Sequence, residues 1–141
     1  MILPDVNVLL YALRKDMPQH EPSIRWLNQV VDGPEVFGIA PQALASVIRI
    51  ATHRKAFPVI TPLKEAFEFA EYLLNHPLCH VVQPASRHWA IYSDICRSAN
   101  AVGPLSQDAW FAALAIEHGC EWITLDRDYD RFPNLRWRRS Y

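Results

Sequence analysis

Glycine is scarce in this chain, 4 residues of 141. So few leave no G-x-G-x-x-G and no G-x-x-x-x-G-K-[ST] in the sequence, which excludes the dinucleotide and P-loop phosphate sites that use glycine for close backbone approach. Cysteine is equally thin. Cys79, Cys96 and Cys120 are odd in number, widely spaced and form no C-x-x-C, so they read as small buried hydrophobes rather than a disulfide framework or a zinc knuckle. The six histidines include no H-E-x-x-H pair, which removes the zinc-protease reading. No apolar run approaches the roughly 20 residues that span a bilayer, and the N-terminus has no basic segment followed by a cleavable apolar one. The expectation is a cytoplasmic protein with no membrane partner. Nor is there an excess of either charge: 14 Lys and Arg stand against 15 Asp and Glu, a formal −1. A polyanion would have to be met by a local patch.

What the chain does have is enough apolar sequence for a core. Half the residues are hydrophobic and 21% are charged, a globular balance. At about 100–200 residues per domain, residues 1–141 are expected to form a single one. Prolines and turn residues cut the apolar pattern into short elements. Ile2-Leu3 reads as a strand running into Asp5, and Val6, Leu9, Leu10 and Leu13 then recur at helical spacing. A second helix fits Pro22 to about Val31, with Asp32-Gly33 as its stop. Val36–Ile39 is a strand, Pro41 opens a helix to about Thr52, and Thr61-Pro62 opens another to about Leu74. His80–Val82 is a strand, helices follow over about Ser86–Ala99 and Ser106–His118, and the β-prone run Trp122–Leu125 leads into Asp126. Short strands alternating with helices predict an α/β sandwich around a mostly parallel sheet, whose ligands bind beyond the carboxyl ends of the strands. Pro4 is the one discordant residue, since it removes an N–H from a strand expected to be central.

Three carboxylates fall where such a site would lie. Asp5 ends the first strand, Asp126 ends the last, and Asp108 sits in the first turn of the helix expected from Ser106. Each alone is explained as a helix cap, worth about 1 kcal/mol. Together, with no lysine near them in sequence, they repel one another, and a divalent cation would relieve that repulsion. A set of oxygen donors only suits a hard ion such as Mg²⁺ or Mn²⁺. The run Asp126-Arg127-Asp128-Tyr129-Asp130 also has the alternate acids of a calcium loop, but its sixth position is Arg131 and its twelfth Trp137. The glycine and glutamate that an EF-hand needs there are missing. An Mg²⁺ held by few carboxylates polarises phosphoryl oxygens and orients hydroxide, which is phosphodiester hydrolysis. Its polyanionic substrate needs basic side chains nearby. From Arg127 onward there are five arginines (Arg127, Arg131, Arg136, Arg138, Arg139) against two aspartates, with Trp137 and Tyr141 either offering stacking faces or closing the core. Arg49, Arg54 and Lys55 form a smaller basic group.

The motifs D-V-N-V-L-L-Y-A from Asp5, R-I-A-T-H from Arg49, D-A-W-F-A-A-L-A from Asp108 with Glu117 following, and T-L-D-R-D-Y-D-R-F from Thr124, closed by N-L-R-W, occur in one order across nearly the whole chain. In that combination the sequence resembles the PIN-domain ribonucleases, in particular the VapC-type toxins of bacterial toxin–antitoxin modules. The resemblance implies a three-layer α/β/α sandwich, Mg²⁺- or Mn²⁺-dependent endoribonuclease activity on RNA, a homodimer, and inhibition by a small antitoxin. Carried over by position, it implies metal-centre acids at Asp5, Asp108 and Asp126, a more peripheral acid at Asp128, and a water-orienting Asn7. Arg49, Arg127 and Arg131 are the candidate RNA contacts. One position departs from the family pattern: Ser46 stands where a glutamate is usual on the third helix. A hydroxyl there removes one charge, and water-mediated contact is the role left to it. The alternative reading is a PIN-like RNA- or partner-binding module whose metal site is weakened by Ser46. Abundant aromatics (Trp26, Trp89, Trp110, Phe67, Phe69) are compatible with an apolar association surface for the dimer.

Overall fold

The computed structural model describes residues 1–141. In chain order the elements are β1 (Ile2–Pro4), α1 (Val6–Leu13), α2 (His20–Val31), β2 (Phe37–Ile39), α3 (Pro41–Ala51), α4 (Leu63–Leu74), β3 (Cys79–Val81), α5 (His88–Ala99), α6 (Pro104–Glu117), β4 (Glu121–Ile123), a 3₁₀ turn over Arg127–Arg131, and β5 (Trp137–Arg138). β1, β4 and β5 form one parallel ladder and β2 and β3 another. The two meet at Gly38, where an added Cβ would stand 3.2 Å from the Ile2 carbonyl oxygen and 3.0 Å from a Val82 methyl. Only glycine lets β2 approach β1 this closely. The strands therefore run β3-β2-β1-β4-β5. Helix α1 packs against both α2 and α3, α3 against α4, and α5 pairs with α6, which also touches β4. This is the α/β/α layering expected for the fold, and its core is a cluster of 33 buried residues centred on β1, α1, α3, α6 and β4. No helix is long and apolar enough to cross a membrane.

The register explains Pro4. β1 exchanges hydrogen bonds with β4 through its odd residues, with the Glu121 N–H donating to the Met1 carbonyl and the Asp5 N–H to the Ile123 carbonyl. Residue 4 faces the other edge, toward β2, where no hydrogen-bonded ladder runs. A proline there forfeits nothing, although the strand is central.

Helices α2 and α5 start two residues from the expected positions, at His20 and His88, and two further differences bear on the site. Helix α6 begins at Pro104, two residues before Ser106, because Gly103 takes φ 58°, ψ −133° and Pro104 is pre-set for a first helical position. Asp108 consequently lies in the second turn of α6, not in its first. Second, β4 is not the last strand. After the 3₁₀ turn the chain returns as β5, which uses Trp137 at the sheet edge; its indole donates to Asp130 at 3.0 Å. Trp137 is thus committed to the fold. Of the aromatics considered for an association surface, Trp26 is buried in the core, and Trp110 and Phe69 are half-buried. Trp89 and Phe67 remain exposed, at 69% and 46%.

Candidate active site

The carboxyl ends of β1 and β4 lie side by side, and the residues that follow them interlock. Asp5 caps α1: its Oδ1 accepts the Val6 N–H at 2.6 Å. Its Oδ2 accepts the Thr124 hydroxyl at 2.5 Å and the Asn7 amide at 2.9 Å. Thr124 Oγ1 in turn accepts from Asn7 Nδ2 and from the Asp126 N–H, each at 3.0 Å. Asn7 Oδ1 accepts the Leu125 N–H at 3.2 Å. One threonine hydroxyl thereby joins the first strand end, the first helix and the loop after β4 around a single carboxylate. Asp126 caps the 3₁₀ turn, its Oδ1 accepting the Asp128 N–H at 2.8 Å.

Asp108 reaches the same group from α6. Capping accounts for Asp5 and Asp126 but not for Asp108, which is inside a helix and half-buried. Burial pushes the Asp5 carboxyl up to about 7, and the charges of Asp108 and Asp126 add to the effect against the hydrogen bonds of Thr124 and Val6. Burial, then the charges of Asp126 and Asp128, push Asp108 up to about 6. None of the molecule's ion pairs involves Asp5, Asp108 or Asp126. Only the exposed Asp128 has a cation close by, Arg131 at 3.8 Å.

Glu117 supplies the contrast inside the same helix. It too is buried, and burial opposes its charge. Yet its two oxygens accept the Ala85 and Arg87 N–H groups at 2.9 Å each, and it ends below the ordinary glutamate range. For Glu117 these bonds outweigh burial, whereas for Asp5, despite the bonds it accepts from Val6, Asn7 and Thr124, and for Asp108 burial and like charge win and the carboxyl stays raised.

Two participants escaped the sequence reading. Thr124 stands in the sequence as the end of a strand-forming run and the first residue of the T-L-D-R-D-Y-D-R-F motif, with no role assigned, and its hub role depends on β1 and β4 being neighbours, which no local pattern encodes. Tyr129 is buried to 1% exposure with its phenol among the acids. Burial and the charges of Asp5, Asp108 and Asp126 raise that phenol well above its usual range, so it is a neutral hydrogen-bond donor. An aromatic in the otherwise polar run Arg127–Arg131 was its one local signal.

Arg127 and Arg131 are exposed on the 3₁₀ turn beside Asp126 and Asp128. Gln42, Ser46 and Arg49 follow one another at helical spacing along one face of α3. The Trp110 indole donates to Gln42 at 2.6 Å, which ties the start of that face to α6 two residues beyond Asp108. Ser46 is half-buried one turn further on, and Arg49 is exposed in the last turn of α3. Arg136 and Arg138 do not belong to the site. They bind the Gly119 carbonyl and Glu121 at the amino end of β4, where they border a hollow of about 520 Å³ with Trp26 and Phe37. The acids lie away from that hollow, with Asp5 buried, Asp108 and Asp126 half-buried and Asp128 exposed.

The donor chemistry fits a hard divalent ion: every candidate ligand is a carboxylate oxygen, and Asp5 and Asp108 are raised partly by like charges that a cation would offset. No three of the side chains close on a common point.

A parallel α/β sheet with unpaired carboxylates at its carboxyl edge defines a class of acid-centred α/β proteins. The chain belongs to the PIN-domain family, whose profile, described as PIN domain, matches residues 2–135. Among individual proteins it is similar to Ribonuclease VapC31 of Mycobacterium tuberculosis, 37% identical over 136 residues and 96% of each chain. Its fold matches that of VapBC2 from Rickettsia felis bound to a promoter DNA fragment, with a TM-score of 0.71, 16% identity, and 99% and 98% of the two chains covered. It also matches M. tuberculosis VapC20, described as a sarcin–ricin loop cleaving toxin, with a TM-score of 0.66, 16% identity, and 96% and 99% covered.

Proposed function

We propose that this chain is a divalent-metal-dependent endoribonuclease and the toxin of a toxin–antitoxin pair. The observation that carries the reading is Asp108: a half-buried carboxylate that caps nothing, has no cation beside it, and is set against two further acids. Kinship with proteins named VapC ribonucleases, and a fold shared with a VapBC structure, support the same reading, in which RNA is the substrate and a small antitoxin the partner. A homodimer is part of the proposal.

Asp5, Asp108 and Asp126 would hold Mg²⁺, with Mn²⁺ as a substitute and Asp128 assisting from the exposed side. When bound, the ion supplies polarisation of a phosphoryl oxygen and a water of lowered pKa. The protein's own part is orientation. Asn7 acts chiefly through Asp5, because its amide hydrogens and one lone pair are already committed; the lone pair left on Oδ1 is what it can offer a water. Ser46, in place of an acid, contributes a neutral hydroxyl that can orient water without adding charge. Arg127 and Arg131 on one side and Arg49 on the other would bind phosphates flanking the scissile bond.

The test is cleavage of a mixed cellular RNA pool by antitoxin-free protein with Mg²⁺, Mn²⁺ or EDTA, with Asp108→Asn alongside. Cleavage with either ion, none in EDTA, and a loss of about a hundredfold or more in the variant are expected. A folded chain that binds RNA and cleaves with neither ion would instead be a binding module with a disabled centre.

A further inference from the structure

The carboxyl edge of the sheet carries a polar side chain that the carboxylate centre does not use. β2 lies against β1 and ends at Ile39, and Pro41 opens α3 there, so Gln42 stands on the same sheet edge as Asp5. Its side chain is exposed but not free to turn, because the Trp110 indole reaches it from α6 at 2.6 Å. An exposed glutamine ordinarily turns its amide either way and offers a donor or an acceptor. An indole N–H only donates, so the Gln42 atom facing it is the oxygen Oε1, and the amide nitrogen is turned away from α6. The bond to Trp110 is the only one the Gln42 side chain makes in the protein, which leaves both amide N–H bonds unused. Trp110 is held in its turn. Its carbonyl accepts from His88 Nε2 at 3.0 Å, its ring lies 4.1 Å from that of His88 and 5.4 Å from that of Tyr92, and His88 is part of the buried interior. Gln42 precedes Ser46 by one helical turn, about 5–6 Å, on the face of α3 that continues to Arg49.

Building on the endoribonuclease reading, we propose that Gln42, locked by Trp110, reads an unpaired RNA base beside the scissile phosphate and selects keto bases. Two N–H bonds held outward meet an acceptor at O4 of uracil or O6 of guanine, whereas N4 of cytosine and N6 of adenine present donors at the same place. Unpaired bases expose these edges to a protein side chain. Arg49, further along the same face, binds phosphate and tells no base from another. The acids act on the backbone, so the sequence preference comes from Gln42.

The experiment measures binding of short fluorescein-labelled oligouridylate and oligocytidylate in EDTA by anisotropy, and cleavage of mixed RNA in Mn²⁺. The native chain is expected to bind the uridine oligomer about tenfold more tightly and to cut beside uridine and guanosine. Gln42→Ala, a change at an exposed position, should bind the two oligomers within about twofold of each other. Gln42→Glu keeps an oxygen for the indole but puts a second one where the nitrogen was; it should weaken binding of both oligomers and turn the preference toward cytidine. Trp110→Phe keeps an aromatic ring, frees the amide and should lose the preference. A tie that only braced α3 against α6 would change melting midpoints and could not invert a base preference. Equal binding of the two oligomers by the native chain, or a uridine preference that survives Gln42→Ala, would overturn the proposal while leaving the ion centre standing. A uridine preference in EDTA with no cleavage in Mn²⁺ would sink the nuclease reading and leave Gln42 reading bases for a binding module. Absence of RNA binding by the native chain would remove both.

Discussion

At the scale of single residues, the molecule separates buried carboxylates that serve the fold from buried carboxylates that burden it. Glu117 receives two backbone N–H groups and is held low; Asp5 and Asp108 are raised to about 7 and about 6. The raised pair makes ion-free stability depend on pH with a definite sign. Their folded pKa values exceed the ordinary 3.8, so folding takes up protons, and their contribution to stability is full below about pH 4 and is lost as pH rises through 6 and 7. At about 1.4 kcal/mol per pH unit, buried Asp5 accounts for up to about 4 kcal/mol, and half-buried Asp108, discounted for solvent screening, for about 1 kcal/mol. The protein in EDTA should therefore melt higher at pH 5 than at pH 8. Glu117 does not mask the effect, because its lowered value acts below that window. A midpoint that is equal at the two pH values, or higher at pH 8, would contradict the assignment of these two acids.

The scale of elements is where sequence and structure part most clearly. Helices α1, α3 and α4 were legible to within a few residues because their apolar stripes and opening prolines are local signals. The start of α6 was not. Glycine ordinarily marks a stop, whereas Gly103 at φ 58° serves as the launching point of a helix. That difference of two residues moved Asp108 from a capping position, where it would have been ordinary, to an interior one, where it is costly. The backbone at Gly103 is disfavoured for other residues even though an added Cβ would meet nothing within 4 Å. Gly103→Ala should destabilise by about 1–3 kcal/mol through backbone strain alone and lower activity by displacing the first turns of α6. Chemical denaturation beside an RNA cleavage assay would check both effects, and unchanged stability would show that this backbone carries no strain. The 3₁₀ turn and β5 were missed for a different reason: neither is long enough to show a period, and β5 exists only because β4 offers it an edge.

At the scale of the whole molecule, the order of motifs made the family readable, and it put forward Asp5, Asp108 and Asp126 as candidates because each lies in a recognisable local pattern. What could not be read is how the acids are held. Thr124 acts on Asp5 across a separation of 119 residues, and only the adjacency of β1 with β4 brings it in. The C-terminal arginines divide for the same reason. Arg127 and Arg131 flank the acids, whereas β5 carries Arg138 toward the amino end of β4, where it pairs with Glu121.

The central claim is that these acids form a divalent-ion centre, and ion-dependent stability tests it most directly. Melting midpoints would be measured at pH 8 in EDTA and in Mn²⁺ for the native chain and for Asp108→Asn. The native midpoint should rise with Mn²⁺, by about 3 kcal/mol of added stability at a hundredfold excess over the dissociation constant. Asp108→Asn should start higher in EDTA, by about 1 kcal/mol for removal of a partly desolvated charge, and respond little to the ion. A native midpoint indifferent to Mn²⁺, or an equal rise in both proteins, would contradict the account.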